Sequence, residues 1–301
     1  AAYDGYDWLT YARFGELADL TARVLAAHGV KRGDRVAIIS RNSVDWAAAE
    51  FGTWQLGAAW VPLHEHQAED EWIHILNDSG SKVLVVRTPE LYERVRSYVN
   101  KVGQVEAVLC CEEESAEPHS LPYNRSRVAT IPPEELPPVD HPSPSDLASI
   151  YYTSGTTGTP KGVELTHNNL ATNVMAYRLA WPEGTLNTKV RTLAYLPWAH
   201  MFGKQVELHA MMCHGASMAM CLDTTRILDH LKMANPTLFI TVPTPLKLAR
   251  AAIDAALLRS SPVTRALFSW ATSVGAEAGA AKRRGEAMGP LLALQYAIAE
   301  P

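Results

Sequence analysis

Short apolar runs alternate with segments of helical period along most of this chain, and that alternation restricts the fold more than any other feature. The runs Arg35 to Ser40, Ala59 to Leu63, Lys82 to Val86 and Val105 to Cys110 are apolar on consecutive positions. A strand that is apolar on both faces must be covered on both, as in a parallel sheet with crossover helices. Between these runs, apolar residues fall at helical spacing from Thr10 to Ala27, where Gly29 ends the helix, from Trp46 to Leu56, ahead of Lys82, and from Leu91 to Val102. The expected class is α/β.

The second half repeats the theme. Strands are expected at Leu147 to Tyr152, Val190 to Leu196, Ala216 to Leu222 and Thr237 to Thr241, with helices at Asn168 to Tyr177, Val263 to Val274 and Leu291 to Ile298. Residues 111 to 146 have a different character. They open on Glu112-Glu113-Glu114 and contain Pro132-Pro133 and Pro137-Pro138. Proline removes backbone donors and disfavours helix, so this stretch reads as an acidic, Pro-rich surface excursion between an α/β subregion 1 to 110 and a second one, 147 to 301.

With 301 residues, of which 47% are hydrophobic and 20% charged, the chain can bury a large core. A net charge of -5 argues against a nucleic-acid partner, which would require a clustered basic face. The one tight basic cluster, Lys282-Arg283-Arg284, reads as a solvated helix end, with peripheral contact to anionic lipid as the alternative. The four cysteines Cys110, Cys111, Cys213 and Cys221 have neither metal-site spacing nor disulfide density. A reducing, cytoplasmic setting is expected, since no secretory signal and no bilayer-spanning apolar run is present. His64-Glu65-His66, just after the Val61-Pro62-Leu63 run, reads as a solvated loop in preference to a metal site.

Tyr152-Thr153-Ser154-Gly155-Thr156-Thr157-Gly158-Thr159-Pro160-Lys161-Gly162 concentrates hydroxyls, glycines and one lysine in a single turn. Glycines let backbone N–H groups approach an anion, hydroxyls add donors, and Lys161 supplies positive charge, which together make a phosphate cradle. It is not a Walker A loop, because Pro160 precedes the lysine and Gly162 follows it. Nor do the intervals between Gly155, Gly158 and Gly162 fit the dinucleotide-binding fingerprint. Farther along, Leu196-Pro197-Trp198-Ala199-His200-Met201-Phe202-Gly203 follows the second of these later strand-like runs as a second cluster of chemistry-bearing residues.

Through Gly162-Val163-Glu164-Leu165-Thr166-His167-Asn168-Asn169-Leu170, the first segment resembles the phosphate loop of the adenylate-forming superfamily, and the second resembles its L-P-x-x-H-x-[FY]-G segment. Leu9-Thr10-Tyr11, Gly33-Asp34-Arg35-Val36-Ala37-Ile38, Gly57-Ala58 and Val61-Pro62-Leu63 are also similar to residues of that family's large N-terminal domain. Residues 261 to 270 and 294 to 297 look like the helical insert of long-chain fatty acyl-CoA synthetases. The resemblance implies two adjoining mixed or parallel sheets with helices on both faces. It also implies that Thr153, Ser154, Gly155, Thr156, Thr157, Gly158, Thr159 and Lys161 hold ATP phosphates, with Thr153 near Mg²⁺. Trp198, His200, Phe202 and Gly203 would then line the acyl pocket, Gly203 leaving room for substrate, and Lys161 and His200 would be catalytic.

The implied reaction starts with attack of a fatty-acid carboxylate on the α-phosphate of ATP, which gives acyl-AMP and pyrophosphate. Coenzyme A then displaces AMP. The partners are therefore small molecules. The family's Tyr-Gly-x-Thr-Glu segment, its ribose-binding Asp, its hinge and its small C-terminal domain with a lysine are not found between Ala1 and Pro301. A partial N-terminal domain, incomplete on its C-terminal side and of little activity by itself, is the expectation. An aryl-CoA ligase or an amino-acid adenylation domain shares both motifs, and a non-catalytic nucleotide- or lipid-binding module is the alternative from another class.

Overall fold

The computed structural model describes residues 5–113, 116–131, 142–154 and 158–299. The chain divides into two compact units, residues 1–240 and 241–301. In the first, helix α1 (Tyr11–Ala27) starts at Thr10, whose hydroxyl accepts the backbone N–H of Arg13. Strand β1 (Arg35–Ile39), helix α2 (Val44–Gln55), strand β2 (Ala59–Leu63), helix α3 (Glu69–Ser79), strand β3 (Val83–Val86), helix α4 (Pro89–Arg96) and strand β4 (Ala107–Cys110) follow in strict alternation. The expected Leu91 to Val102 helix is shorter at its end, giving way to a 3₁₀ turn at Val99–Lys101.

A six-stranded sheet has the order β4-β3-β1-β2-β5-β6, where β5 is Leu147–Ser154 and β6 is Pro160–Thr166. All neighbours are parallel except β5 and β6. The strand pleat divides each apolar run between two cores. Val36, Ile38, Trp60, Val83 and Val85 join Leu25 and Trp46 of α1 and α2 on one face, whereas Ala37, Ile39, Val61, Leu63, Leu84 and Val86 join Trp72, Ile75 and Val95 of α3 and α4 on the other. The uninterrupted apolar runs are explained by this double covering.

Residues 111 to 146 are not all linker. Ser120 caps helix α5 (Leu121–Val128), with Pro122 in its first turn where no donor is needed. Arg125 of α5 is buried, donates to the Thr21 hydroxyl of α1 at 2.9 Å and pairs with Asp45 of α2. The proline pairs at 132–133 and 137–138 lie outside the described residues.

After β6 come helix α6 (His167–Ala180) and strand β7 (Arg191–Ala194). A continuous helical stretch follows, made of α7 (Met201–Gly203), a π-helical segment (Lys204–His209) and α8 (Ala210–Cys213). Strand β8 (Ser217–Met220) pairs in parallel with β7 as the second sheet, and helix α9 (Ile227–Ala234) follows. The expected strand at Thr237 to Thr241 does not form: one bridge joins Leu238 to Thr192, and Pro236 and Pro243 flank the run. The second unit contains α10 (Pro243–Leu258), which was not expected, and α11 (Pro262–Arg283) and α12 (Pro290–Ala299), which contain the helices expected at Val263 to Val274 and Leu291 to Ile298. Among the described residues, no helix is long and apolar enough to cross a membrane.

Candidate functional site

The phosphate-loop segment spans a hairpin. It does not run from strand into helix: the chain returns as β6 before α6 begins. Thr153 is paired with Lys161, Ser154 with Pro160, and Tyr152 with Gly162. Directly opposed residues of an antiparallel pair project from the same face, so the Thr153 hydroxyl and the Lys161 ammonium share one side of the hairpin. Gly155, Thr156 and Thr157 lie outside the described residues. Gly158 has φ of 86°, the left-handed conformation that favours glycine, and Gly158, Thr159 and Lys161 are exposed. Helix α3 anchors the hairpin, because the Tyr152 hydroxyl donates to Asp78 at 2.7 Å and His74 Nε2 donates to the Pro160 carbonyl at 3.0 Å. Gly162 is required by packing, since a Cβ there would meet Ile150 at 2.9 Å and the Tyr152 ring at 3.1 Å.

The second segment turns between β7 and α7. Its backbone is held from below by Glu207, whose carboxyl accepts the N–H groups of Tyr195 and Leu196 at 3.2 Å. Asn42 holds it from the side, donating to the Leu196 carbonyl and accepting the Trp198 N–H, both at 2.8 Å. Burial pushes the Glu207 carboxyl up to about 8, against those backbone N–H groups and the Trp198 side chain, which favour the charged form. These contacts leave His200 exposed at the start of α7 and Phe202 half-exposed. Gly203 is buried, and a Cβ on it would come within 2.7 Å of the Pro197 carbonyl, so the turn itself uses the space a side chain would fill.

The structure separates Trp198 from His200. The Trp198 indole packs on Trp46 with ring centroids 5.5 Å apart and lines a cavity of about 390 Å³ together with Trp8, Tyr11, Phe14 and Met212. His200 instead lines a cavity of about 400 Å³ with His64, Gln67 and Tyr152. The His64-Glu65-His66 segment is therefore only partly the solvated loop expected of it. His66 is exposed, but His64 is half-buried with its ring 6.1 Å from that of His200. Burial, then His66 and His200, hold the His64 imidazole below its ordinary range, with Glu65 opposing. Among the described residues no group of three or more His, Cys, Asp or Glu is placed to hold a metal ion.

Beneath both segments is a charged network that sequence reasoning passed over. Lys204 Nζ is 2.8 Å from Glu50 and 3.4 Å from the Ser149 hydroxyl of β5, and His209 Nε2 is 3.0 Å from the other Glu50 oxygen. All three side chains are buried. Lys204 also lies 4.6 Å from the centre of the Tyr151 ring. Burial alone would raise the Glu50 carboxyl, but Lys204 and then His209 more than offset it, while burial lowers both Lys204 and His209. The consistent state is an anionic Glu50, a cationic Lys204 and a neutral His209 that donates its Nε2 proton. The network joins α2, the strand that feeds the phosphate loop, and the π-helical segment after His200. Its one trace in the sequence was an acid inside the apolar stretch Trp46-Ala47-Ala48-Ala49-Glu50-Phe51.

The family model described as "AMP-binding enzyme" matches residues 1–289. The chain is 29% identical to human "Long-chain-fatty-acid--CoA ligase 1" over 252 residues, which cover 79% of this chain and 36% of that protein. Among solved structures it is similar to ATP-bound MatB from Rhodopseudomonas palustris, with TM-score 0.66, 28% identity and coverage of 80% of this chain and 45% of the other. It is also similar to a Mycobacterium tuberculosis fatty acyl CoA synthetase, with TM-score 0.61, 26% identity and coverage of 74% and 41%. The chain thus spans well under half the length of these relatives.

Proposed function

Because the chain belongs to the AMP-binding enzyme family, we propose that it is the nucleotide- and acid-binding portion of an acid–thiol ligase that activates a fatty acid with ATP and transfers it to coenzyme A. The observation that carries this reading is the β5–β6 hairpin, which sets Thr153 opposite Lys161 at the two ends of a loop rich in glycine and hydroxyls. Lys161 would neutralise phosphate charge, and the hydroxyls of Thr153, Ser154, Thr156, Thr157 and Thr159 would donate to phosphate oxygens, with Gly155 and Gly158 allowing the close wrap. The donor set fits Mg²⁺, which takes few protein oxygens when it keeps its waters and binds nucleotide phosphates; Thr153 would hold it, and the ion would offset charge on the leaving pyrophosphate.

His200 would orient the acid's carboxylate, with Phe202 two residues on; Trp198 and Gly203 support the turn that presents it. A carboxylate resists attack by a thiol until one oxygen becomes part of a good leaving group, and joining it to AMP achieves that. Similarity to the human long-chain-fatty-acid–CoA ligase 1 favours a long acyl chain over an aromatic acid.

The test is ATP–pyrophosphate exchange by the natural protein that carries this chain, with a panel of long-chain, aromatic and amino acids. Exchange driven by long-chain acids is expected, and Lys161→Ala should lower it by about tenfold or more, as roughly 1.5–3 kcal/mol for a lost charged hydrogen bond requires. Exchange with aromatic or amino acids alone would replace the acyl assignment. Tight ATP and fatty-acid binding with no exchange would point to a binding module.

A further inference from the structure

The backbone and one ring nitrogen of His64 are hydrogen-bonded within its own loop, and among the described residues the other ring nitrogen has no partner. Its backbone N–H donates to Gln67 Oε1 at 2.8 Å, its carbonyl accepts the Trp72 indole N–H at 3.0 Å, and its Nδ1 accepts the backbone N–H of His66 at 3.1 Å. Glu65, next in sequence, is paired with Arg41 just beyond β1 at 3.1 Å, which ties the loop down from a second strand. An Nδ1 that accepts leaves the single proton of a neutral imidazole on Nε2. Among the described residues that Nε2 has no hydrogen-bond partner. The buried His209 provides the contrast, because its Nε2 is occupied by Glu50.

The loop's position gives this donor a purpose. Strands β2 and β5 are parallel neighbours, so their carboxyl ends deliver the His64 loop and the phosphate loop to the same edge of the sheet. In open α/β sheets, ligands bind outside the carboxyl ends of the strands. The cavity of about 400 Å³ there is lined by His64, Gln67 and Tyr152 from those two strands and loops and by Ala199 and His200 from the turn after β7. The rings of His64 and His200 stand 6.1 Å apart, centroid to centroid, on the wall of that cavity.

We propose that His64 is a substrate-binding residue, donating from Nε2 to a carboxylate or phosphoryl oxygen of a ligand in the cavity that His200 also lines. The inference rests on the function proposed above and extends it to a residue of the β2 loop. A donor here would meet the oxygen that links acyl group and phosphate once the acid is activated, and a neutral ring would bind it without adding a second cation beside Lys161.

The experiment is calorimetric titration of the natural protein, as wild type, His64→Phe and His64→Gln, with a non-hydrolysable palmitoyl-sulfamoyl-adenosine, with ATP and with palmitate. His64→Phe keeps a ring but no donor, and should bind the acyl-adenylate mimic about tenfold or more weakly, the usual range for a lost hydrogen bond to a charged or strongly polarised oxygen. His64→Gln, which carries an N–H donor as well as an oxygen able to accept the His66 N–H, should recover part of the loss. A parallel loss for palmitate assigns the contact to the carboxyl, and one for ATP assigns it to phosphate. Unchanged mimic binding by His64→Phe overturns the inference alone, whereas failure of the wild type to bind the mimic overturns the function on which it rests. Should the variants unfold, ¹⁵N spectra of histidine-labelled wild type decide: the His64 Nε2 resonance moves on saturation with the mimic if the contact exists, and stays in place if it does not.

Discussion

Single side chains in this protein have functions that only their partners reveal. Glu207 holds the turn that presents His200, and it does so at the cost of burying a carboxyl. Its folded-state value is raised from the ordinary 4.5 to about 8. The unfolded chain therefore loses this proton at lower pH than the folded one, and the associated stability is full below 4.5 and lost as pH rises through about 8. Wild type should lose stability over that window relative to Glu207→Gln, by up to about 1.4 kcal/mol per pH unit, in urea titrations at pH 5, 7 and 9. Equal pH slopes for the two proteins would show that Glu207 is ionised throughout. Lys204→Met tests the deeper network. It strips Glu50 of its cation in a site without solvent and should cost roughly 3–5 kcal/mol, as breaking a buried ion pair does. A change below 1 kcal/mol in the same titration would mean that Glu50 is satisfied by His209 alone.

At the level of elements, the β5–β6 hairpin is the feature on which the site depends, and it was only half legible. The apolar run Leu147 to Tyr152 announced β5. The return strand was hidden, because Pro160-Lys161-Gly162 reads as loop chemistry and β6 is largely exposed, with the His74 bond from α3 to its Pro160 carbonyl made across a long sequence separation. Helix α5 was masked in the same way by the prolines around it, although Ser120 before Leu121-Pro122 is a recognisable cap. The hairpin also gives a direct test of packing at the site. Gly162→Ala would press a methyl group against Ile150 and Tyr152, so it should cost about 1–3 kcal/mol of stability and weaken ATP binding through displacement of the neighbouring Lys161. Unaltered thermal unfolding and ATP affinity in this variant would mean that Tyr152 swings aside freely.

Across the whole molecule, the pattern of doubly buried strands was sufficient to specify a parallel α/β sheet, because every residue of β1 to β3 had to find a covered face and only alternating crossovers supply two. What local pattern could not convey was convergence. Nothing in the spacing of Glu50, Lys204 and His209 announces that they meet, nor that His64 would stand beside His200, since these contacts are made by chain segments more than a hundred residues apart. The same holds for Trp198, which is two residues from His200 in sequence but faces a different cavity.

The central claim is that the site joins a carboxylate to the α-phosphate of ATP, and isotope transfer tests it most directly. The natural protein would be supplied with palmitate labelled with ¹⁸O in both carboxyl oxygens, together with ATP, Mg²⁺ and coenzyme A, and the products analysed by mass spectrometry. The account predicts AMP carrying one ¹⁸O and unlabelled pyrophosphate. ADP with labelled inorganic phosphate, the outcome of attack at the γ-phosphate, would contradict it.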